Sequence, residues 1–182
     1  FSKIGSQPTL TPQPILPILQ SAVDYMRVRT SNKIVYKLEV EGVTEGLTEG
    51  SDRSDLSDRS DNLQAMLCAP LFEWVIENIC KNAIDSMDGK GSITIEVRRL
   101  GDEAMRREGR VIIDITDTGK GIDRRKFKQI FQPGYTSKKR GWGLGLSLSK
   151  RIIENYHRGK LFVKQSQLGV GTTFRIVLRS VV

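Results

Sequence analysis

Residues 68–91 read CAPLFEWVIENICKNAIDSMDGKG, and this run constrains the fold more than any other. Phe72, Val75, Ile76, Ile79 and Ala83 recur on one helical face, and Gly89 or Gly91 ends the run. A helix with so complete an apolar stripe has to lie on another layer. The sequence supplies that layer at once. SITIEVRRL (92–100) and RVIIDITD (110–117) read as strands around the charged hairpin GDEAMRREG, and GKLFVKQS and GTTFRIVL add two more near the C-terminus. Upstream, PILPILQSAVDYMRVRT (14–30) has Ile15, Ile18, Leu19, Ala22 and Val23 at helical spacing. KIVYKLEVEG then alternates Ile34, Tyr36, Leu38 and Val40 on one face of a strand. RRKFKQIF reads as a short helix, residues 132–142 as a loop, and LGLSLSKRIIENY as a helix ending near Gly159. This order predicts an α/β (α+β) two-layer sandwich, with a mixed, mostly antiparallel sheet covered on one face by about three helices.

Residues 42–64 fall outside that pattern. They carry the repeat SDRSD-L-SDRSD and too few apolar groups to offset the entropy of ordering, so they read as a mobile, solvated insertion. Between Glu41 and Asp61 there are seven acidic residues against Arg53 and Arg59, so the net charge of +8 understates how basic the remainder is. Much of that excess sits in RRKFK (124–128) and KKR (138–140), which suits a local anionic ligand. No aromatic-basic interleaving or recognition helix is visible, so nucleic acid is not an expected partner. No apolar run approaches the roughly 20 residues that span a bilayer. Cys68 and Cys80 lie too far apart along one helix to bridge, which suits a reducing compartment. The chain opens FSKIGSQP without an initiator Met and reads as a fragment.

Three constellations carry chemistry. On the helix at 71–87, Asn78, Asn82 and Asp85 share one face; two carboxamide oxygens can hold Mg²⁺ without adding charge, although an exposed polar face explains that helix alone equally well. In DITDTGKGI, Asp117 falls in phase with Val111, Ile113 and Ile115 and so needs donors, such as an adenine amine. Gly119 and Gly121 would let the backbone pass close to a flat base, while D-T-G-x-G is equally good turn chemistry. Third, KKRGWGLGLSLSKRI puts Gly141, Gly143 and Gly145 ahead of a helix N-terminus, with Lys138, Lys139 and Arg140 adding charge. The spacing fits neither the dinucleotide fingerprint nor a P-loop.

In order and spacing, ENICKNAID, DTGKGI, IFQPGYTSKKRG, GWGLGLSLSKRII and GVGTTF resemble the N, G1, F, G2 and G3 boxes of the sensor histidine kinase catalytic domain. This is the Bergerat ATP-binding fold shared with DNA gyrase B, the mismatch-repair ATPases and the heat-shock chaperone ATPase. The resemblance is dense over 66–180 and loose over 14–40. It implies a linker at 1–13 from an upstream helical dimerisation domain and a catalytic domain at 14–182. It also implies that Asn82 ligates Mg²⁺ with support from Asn78, that Asp117 accepts from the adenine amine, and that Gly119 and Gly121 border the base. Thr172 would support the Asp117–water contact, and Lys138 would reach the γ-phosphate. Asp85, Lys139, Arg140, Gly141, Gly143, Leu144 and Gly145 would contribute to the nucleotide site, and Phe127 and Phe131 look like the F-box aromatics. ATP and Mg²⁺ are the implied ligands.

Members of the fold that hydrolyse ATP carry a Glu four residues before the metal-binding Asn. Here that position is Asn78, and Glu77 is turned about 100° around the helix. This favours phosphoryl transfer over hydrolysis. The implied acceptor is a His on the separate helical dimerisation domain, and the implied partner a response regulator receiver domain. His157, in NYHRGK, reads as a surface or turn residue and not as the acceptor. The parent is expected to be a homodimer, the isolated domain a monomer, and the location cytoplasmic in a parent that can be anchored in the inner membrane. Two other readings stay open: a nucleotide-binding regulatory (pseudokinase) module, and a serine-directed kinase of the anti-sigma-factor type.

Overall fold

A computed structural model describes residues 8–40, 63–100, 109–136 and 142–181. The expected layers are there. Five strands form one sheet: β2 (Ile34–Val40), β4 (Gly91–Leu100), β5 (Arg110–Asp117), β7 (Gly171–Arg179) and β6 (Lys160–Gln167), in the spatial order β2-β4-β5-β7-β6. Only β2 and β4 run parallel, and every other neighbouring pair is antiparallel. Helices α1 (Ile15–Arg29) and α2 (Ala69–Ser86) bury their apolar stripes against the sheet's inner face, and the short α3 (Gly145–Arg151) packs beside α2, with Ser149 buried and Leu146 partly buried on the core. Phe72, Ile76 and Ile79 of α2 meet Ile93, Ile95, Ile113 and Ile115, all essentially solvent-free.

The ends of the predicted linker and insertion belong to the fold. Thr11–Pro14 (β1) pairs antiparallel with Gln64–Leu67 (β3), and Leu63 is buried. The 1–13 linker is therefore structured in its last part, and the insertion stops short of Leu63. A four-residue strand has no alternation to betray it, since its pairing is fixed by contacts fifty residues away. Residues 1–7, 41–62 and 101–108, which hold the rest of those segments and the charged hairpin, lie outside the described residues.

Two helical expectations also change. RRKFKQIF forms two 3₁₀ turns, Arg124–Lys126 and Gln129–Phe131. The Asp123 carboxylate accepts from the Arg125 N–H at the first turn, while Pro133 holds Gln132 extended and stops the second. The helix starting at Gly145 widens after Arg151 into a π turn, Ile152–Tyr156.

That wide turn delivers His157 inward, so the surface placement expected for it is wrong. His157 is 5% exposed. Its Nε2 accepts from the Cys68 N–H at 3.0 Å, which leaves Nδ1–H to donate to the Ile152 carbonyl at 2.9 Å. The ring thus ties the start of α2 to the end of the π turn, as the neutral tautomer. Burial holds its pKa below the ordinary 6.5, against the pull of the two backbone bonds. As pH falls through about 6.5, the unfolded chain takes up a proton that the folded chain refuses, so stability declines. Thermal melts at pH 7 and 5 should show a larger loss for wild type than for His157→Asn; equal losses would contradict this role.

Candidate active site

Helix α2 carries a line of polar side chains four residues apart: Asn78, Asn82 and Ser86. At a rise of 1.5 Å per residue the line is roughly 12 Å long. At its first end, Asn78 Nδ2 donates to the Oγ of Ser149 on α3, 2.9 Å away, and Ser149 is wholly buried. In the middle, Asn82 Nδ2 donates to the Asn78 carbonyl at 2.9 Å, which fixes the carboxamide's orientation. At the far end, Ser86 Oγ lies 3.2 Å from Asp117 Oδ1.

Asp117 ends β5 and is 4% exposed. Burial pushes its carboxyl above the ordinary range, opposed by bonds from the Gly119 N–H at 2.8 Å, the Ser86 hydroxyl and the Thr172 N–H. A carboxylate can accept about four hydrogen bonds. These three donors leave it able to take one more. Thr172 stands opposite Asp117 in the β5–β7 register. Its hydroxyl meets Ser166 Oγ at 2.8 Å, and Ser166 also receives the Ile122 N–H, so the loop after Asp117 is anchored to β6.

The glycines turn out to be packing positions. A methyl at Gly119 would overlap Ser86, and one at Gly145 would come 2.5 Å from Asn78 Oδ1. Gly121, at φ +72°, is pressed against the backbone of Gln167 and Leu168 in the β6–β7 turn. Gly143, at φ +64°, accepts from the Gly134 N–H at 3.0 Å and so joins the two sides of the loop before α3. Leu144, next to it, is half exposed. Phe131 packs edge-on against Phe174, with Lys150 Nζ 4.8 Å from its ring centre, and Phe127 is partly buried on the core.

An open cleft of about 450 Å³ lies between α1 and α2, where Arg29 and Thr30 face Asn78, Lys81, Asn82 and Asp85. Asp85 itself is exposed. Lys138, Lys139, Arg140 and Gly141 lie outside the described residues. Sequence reasoning missed Ser86, Ser149 and Ser166. The first was findable, being four residues beyond Asn82; the other two have partners only across elements.

A buried carboxylate thus stands at one end of a helix, and a carboxamide held against a Gly-rich turn at the other. The sequence profile of the histidine kinase-, DNA gyrase B- and HSP90-like ATPases matches residues 69–181. This chain belongs to that family. As a member it is an ATP-binding domain. It is 38% identical over 122 residues to sporulation kinase E of Bacillus subtilis (strain 168), covering 66% of this chain and 15% of that relative. It is 40% identical over 108 residues to the signal transduction histidine-protein kinase AtoS of Escherichia coli (strain K12), covering 59% of this chain and 16% of AtoS. The matched region is thus a small part of those proteins. The catalytic domain of the histidine kinase ThkA has the same fold, at TM-score 0.72 and 20% identity, over 94% of this chain and 95% of that one. ThkA has also been solved in complex with the response regulator protein TrrA; that kinase chain superposes at TM-score 0.67 and 19% identity, over 94% of this chain and 42% of ThkA. The two layers and the mostly antiparallel sheet expected from the sequence match the fold of the histidine kinase catalytic domain.

Proposed function

We propose that this chain is the catalytic domain of a sensor histidine kinase, which binds Mg-ATP along α2 and passes the γ-phosphate to a His on a separate helical dimerisation domain. The observation that carries it is Asn78. The position where hydrolysing members of the fold place a Glu holds a carboxamide, bonded to Ser149, with no basic lone pair to offer water. The Glu77 carboxylate is paired with the Lys81 ammonium at 3.3 Å, which keeps it engaged and makes it a poor base for water. With no base to activate water, the site keeps the γ-phosphate for another nucleophile, and catalysis rests on positioning and electrostatics.

The residues divide the work along the helix. Asp117, held by Gly119, Ser86 and Thr172, receives the adenine amine. Asn82 holds the metal, with Asn78 beside it, and Asp85 adds oxygen to the same cleft. Mg²⁺, when bound, neutralises charge on the phosphates. Lys138 is assigned to the γ-phosphate, and Lys139, Arg140, Gly141, Gly143, Leu144 and Gly145 to the triphosphate. The relatives' names and the ThkA–TrrA complex support two-component signalling with a response regulator. The proposal extends, from the family resemblance, to a homodimeric parent, a cytoplasmic site for this domain and a monomeric state for the domain alone. Among the described residues no helix is long and apolar enough to cross a membrane.

Incubation with labelled ATP should leave the chain alone unmarked and mark the helical domain when the two are joined. Stoichiometric label on His157, whose two ring nitrogens are both engaged, would overturn the proposal. Absence of transfer to an attached helical domain would favour a regulatory module instead.

A further inference from the structure

The cleft between α1 and α2 contains two cations that the nucleotide site does not yet use. Arg29, in the last turn of α1, lays its guanidinium carbon 3.8 Å from the centre of the Tyr25 ring. Stacking holds a long side chain in place while leaving the N–H groups at the guanidinium edge able to donate. Lys81, one residue before Asn82, is 55% exposed and lies 3.3 Å from Glu77. Both side chains line the same cleft as Asn78, Asn82 and Asp85. Its wall therefore sets carboxamide and carboxylate oxygens beside ammonium and guanidinium donors. Hard oxygens suit a divalent metal and charged N–H groups suit phosphate oxygens, so the donor set matches a metal–polyphosphate and not a lone anion.

The position along α2 selects which phosphate. A base at Asp117 lies beside Ser86, so the phosphate chain extends toward Asn82 and Asn78, roughly 6 to 12 Å back along the helix. Lys81 lies between Asn78 and Asn82 along the helix, and Arg29 faces this stretch from the α1 side of the cleft. We infer that Arg29 and Lys81 read the terminal phosphate of a bound nucleoside triphosphate from the α1 side, and so set the preference for triphosphate over diphosphate. The assignment rests on the nucleotide site proposed for this chain. It gives α1, which holds none of the nucleotide-site residues assigned from the sequence, a part in substrate choice.

Calorimetry of the chain with Mg-ATP and Mg-ADP tests it, using Arg29→Gln, Lys81→Gln and, as a charge-matched control on the outer sheet face, Lys37→Gln. Arg29 and Lys81 sit at the surface, so these changes leave the core intact. Each should weaken ATP binding about fivefold and ADP binding less than about twofold, the scale of a charge-assisted bond at a partly exposed site. Lys37→Gln should change neither affinity. Wild-type binding with equal loss for both nucleotides, or with no loss, would overturn the role of Arg29 and Lys81 alone. A wild-type chain that binds neither nucleotide would overturn the site itself and this inference with it.

Discussion

Asn82→Asp is expected to weaken Mg-ATP binding by roughly 30-fold or more, with little change in melting temperature. The cause lies in the Asn82 amide, which donates to the Asn78 carbonyl at 2.9 Å. A carboxylate cannot donate there, so two acceptors would face each other and the side chain would swing out of its position. It would also add negative charge where the polyphosphate is to lie. Two unit charges 4 Å apart at an effective dielectric of 20 repel by about 4 kcal/mol, and a half-exposed site retains about half of that, about 30-fold in affinity. Calorimetry with Mg-ATP reads the effect directly. An affinity within about twofold of wild type would remove Asn82 from the site.

Asp114→Ala is expected to have the largest effect on stability. Asp114 points to the sheet face away from the helices, yet it is only 2% exposed, because Arg175 and Lys164 fold over it. Arg175 grips it with two bonds, at 2.7 and 2.6 Å, and Lys164 adds a third at 2.8 Å. Burial alone would raise its pKa, but the bonds from Arg175 and Lys164 outweigh it and hold the carboxyl below the ordinary value. Removing one member of a buried ion pair costs about 3 to 5 kcal/mol; here the low end, about 3, applies, because Lys164 can turn to water. Replacing Asp114 and Arg175 together with Leu and Met should recover most of the loss. The pH sign follows from the depressed pKa. The contribution is fully present above the unfolded value near 3.8 and fades as pH drops through the folded value, well below the His157 window. Chemical denaturation at pH 7 and 3 checks both statements; a loss under about 1 kcal/mol at pH 7 would mean the network is a solvated surface feature.

How much of this was legible in the sequence depended on the range of the contacts. The apolar stripe of α2 and the alternation of β2, β4 and β5 are local, and all four elements stand where periodicity put them. Asp117 was found because its phase along β5 points it into the core. Asp114, three residues earlier on the opposite face, passed unnoticed, since its partners lie on β6 and β7, 50 and 61 residues further on. The β1–β3 pair was hidden for the same reason, and because Pro12 and Pro14 argue against a strand unless it lies at an edge. His157 read as a surface residue because nothing in NYHRGK signals a π turn. The glycines were recognised as special for one reason and serve another as well. Gly119 and Gly145 make room for Ser86 and Asn78, the two side chains that mark the ends of the polar line on α2.

The central claim is that this line holds an adenine nucleotide with its base at Asp117. Calorimetry with Mg-ATP and with the triphosphate of purine riboside, which lacks the 6-amino group, tests it most directly in wild type and Asp117→Asn. Wild type should prefer ATP by about tenfold, the scale of a hydrogen bond to a charged acceptor, and Asp117→Asn should lose that preference by weakening ATP alone. Equal affinity for the two nucleotides in wild type, or an unchanged preference in Asp117→Asn, would contradict the account.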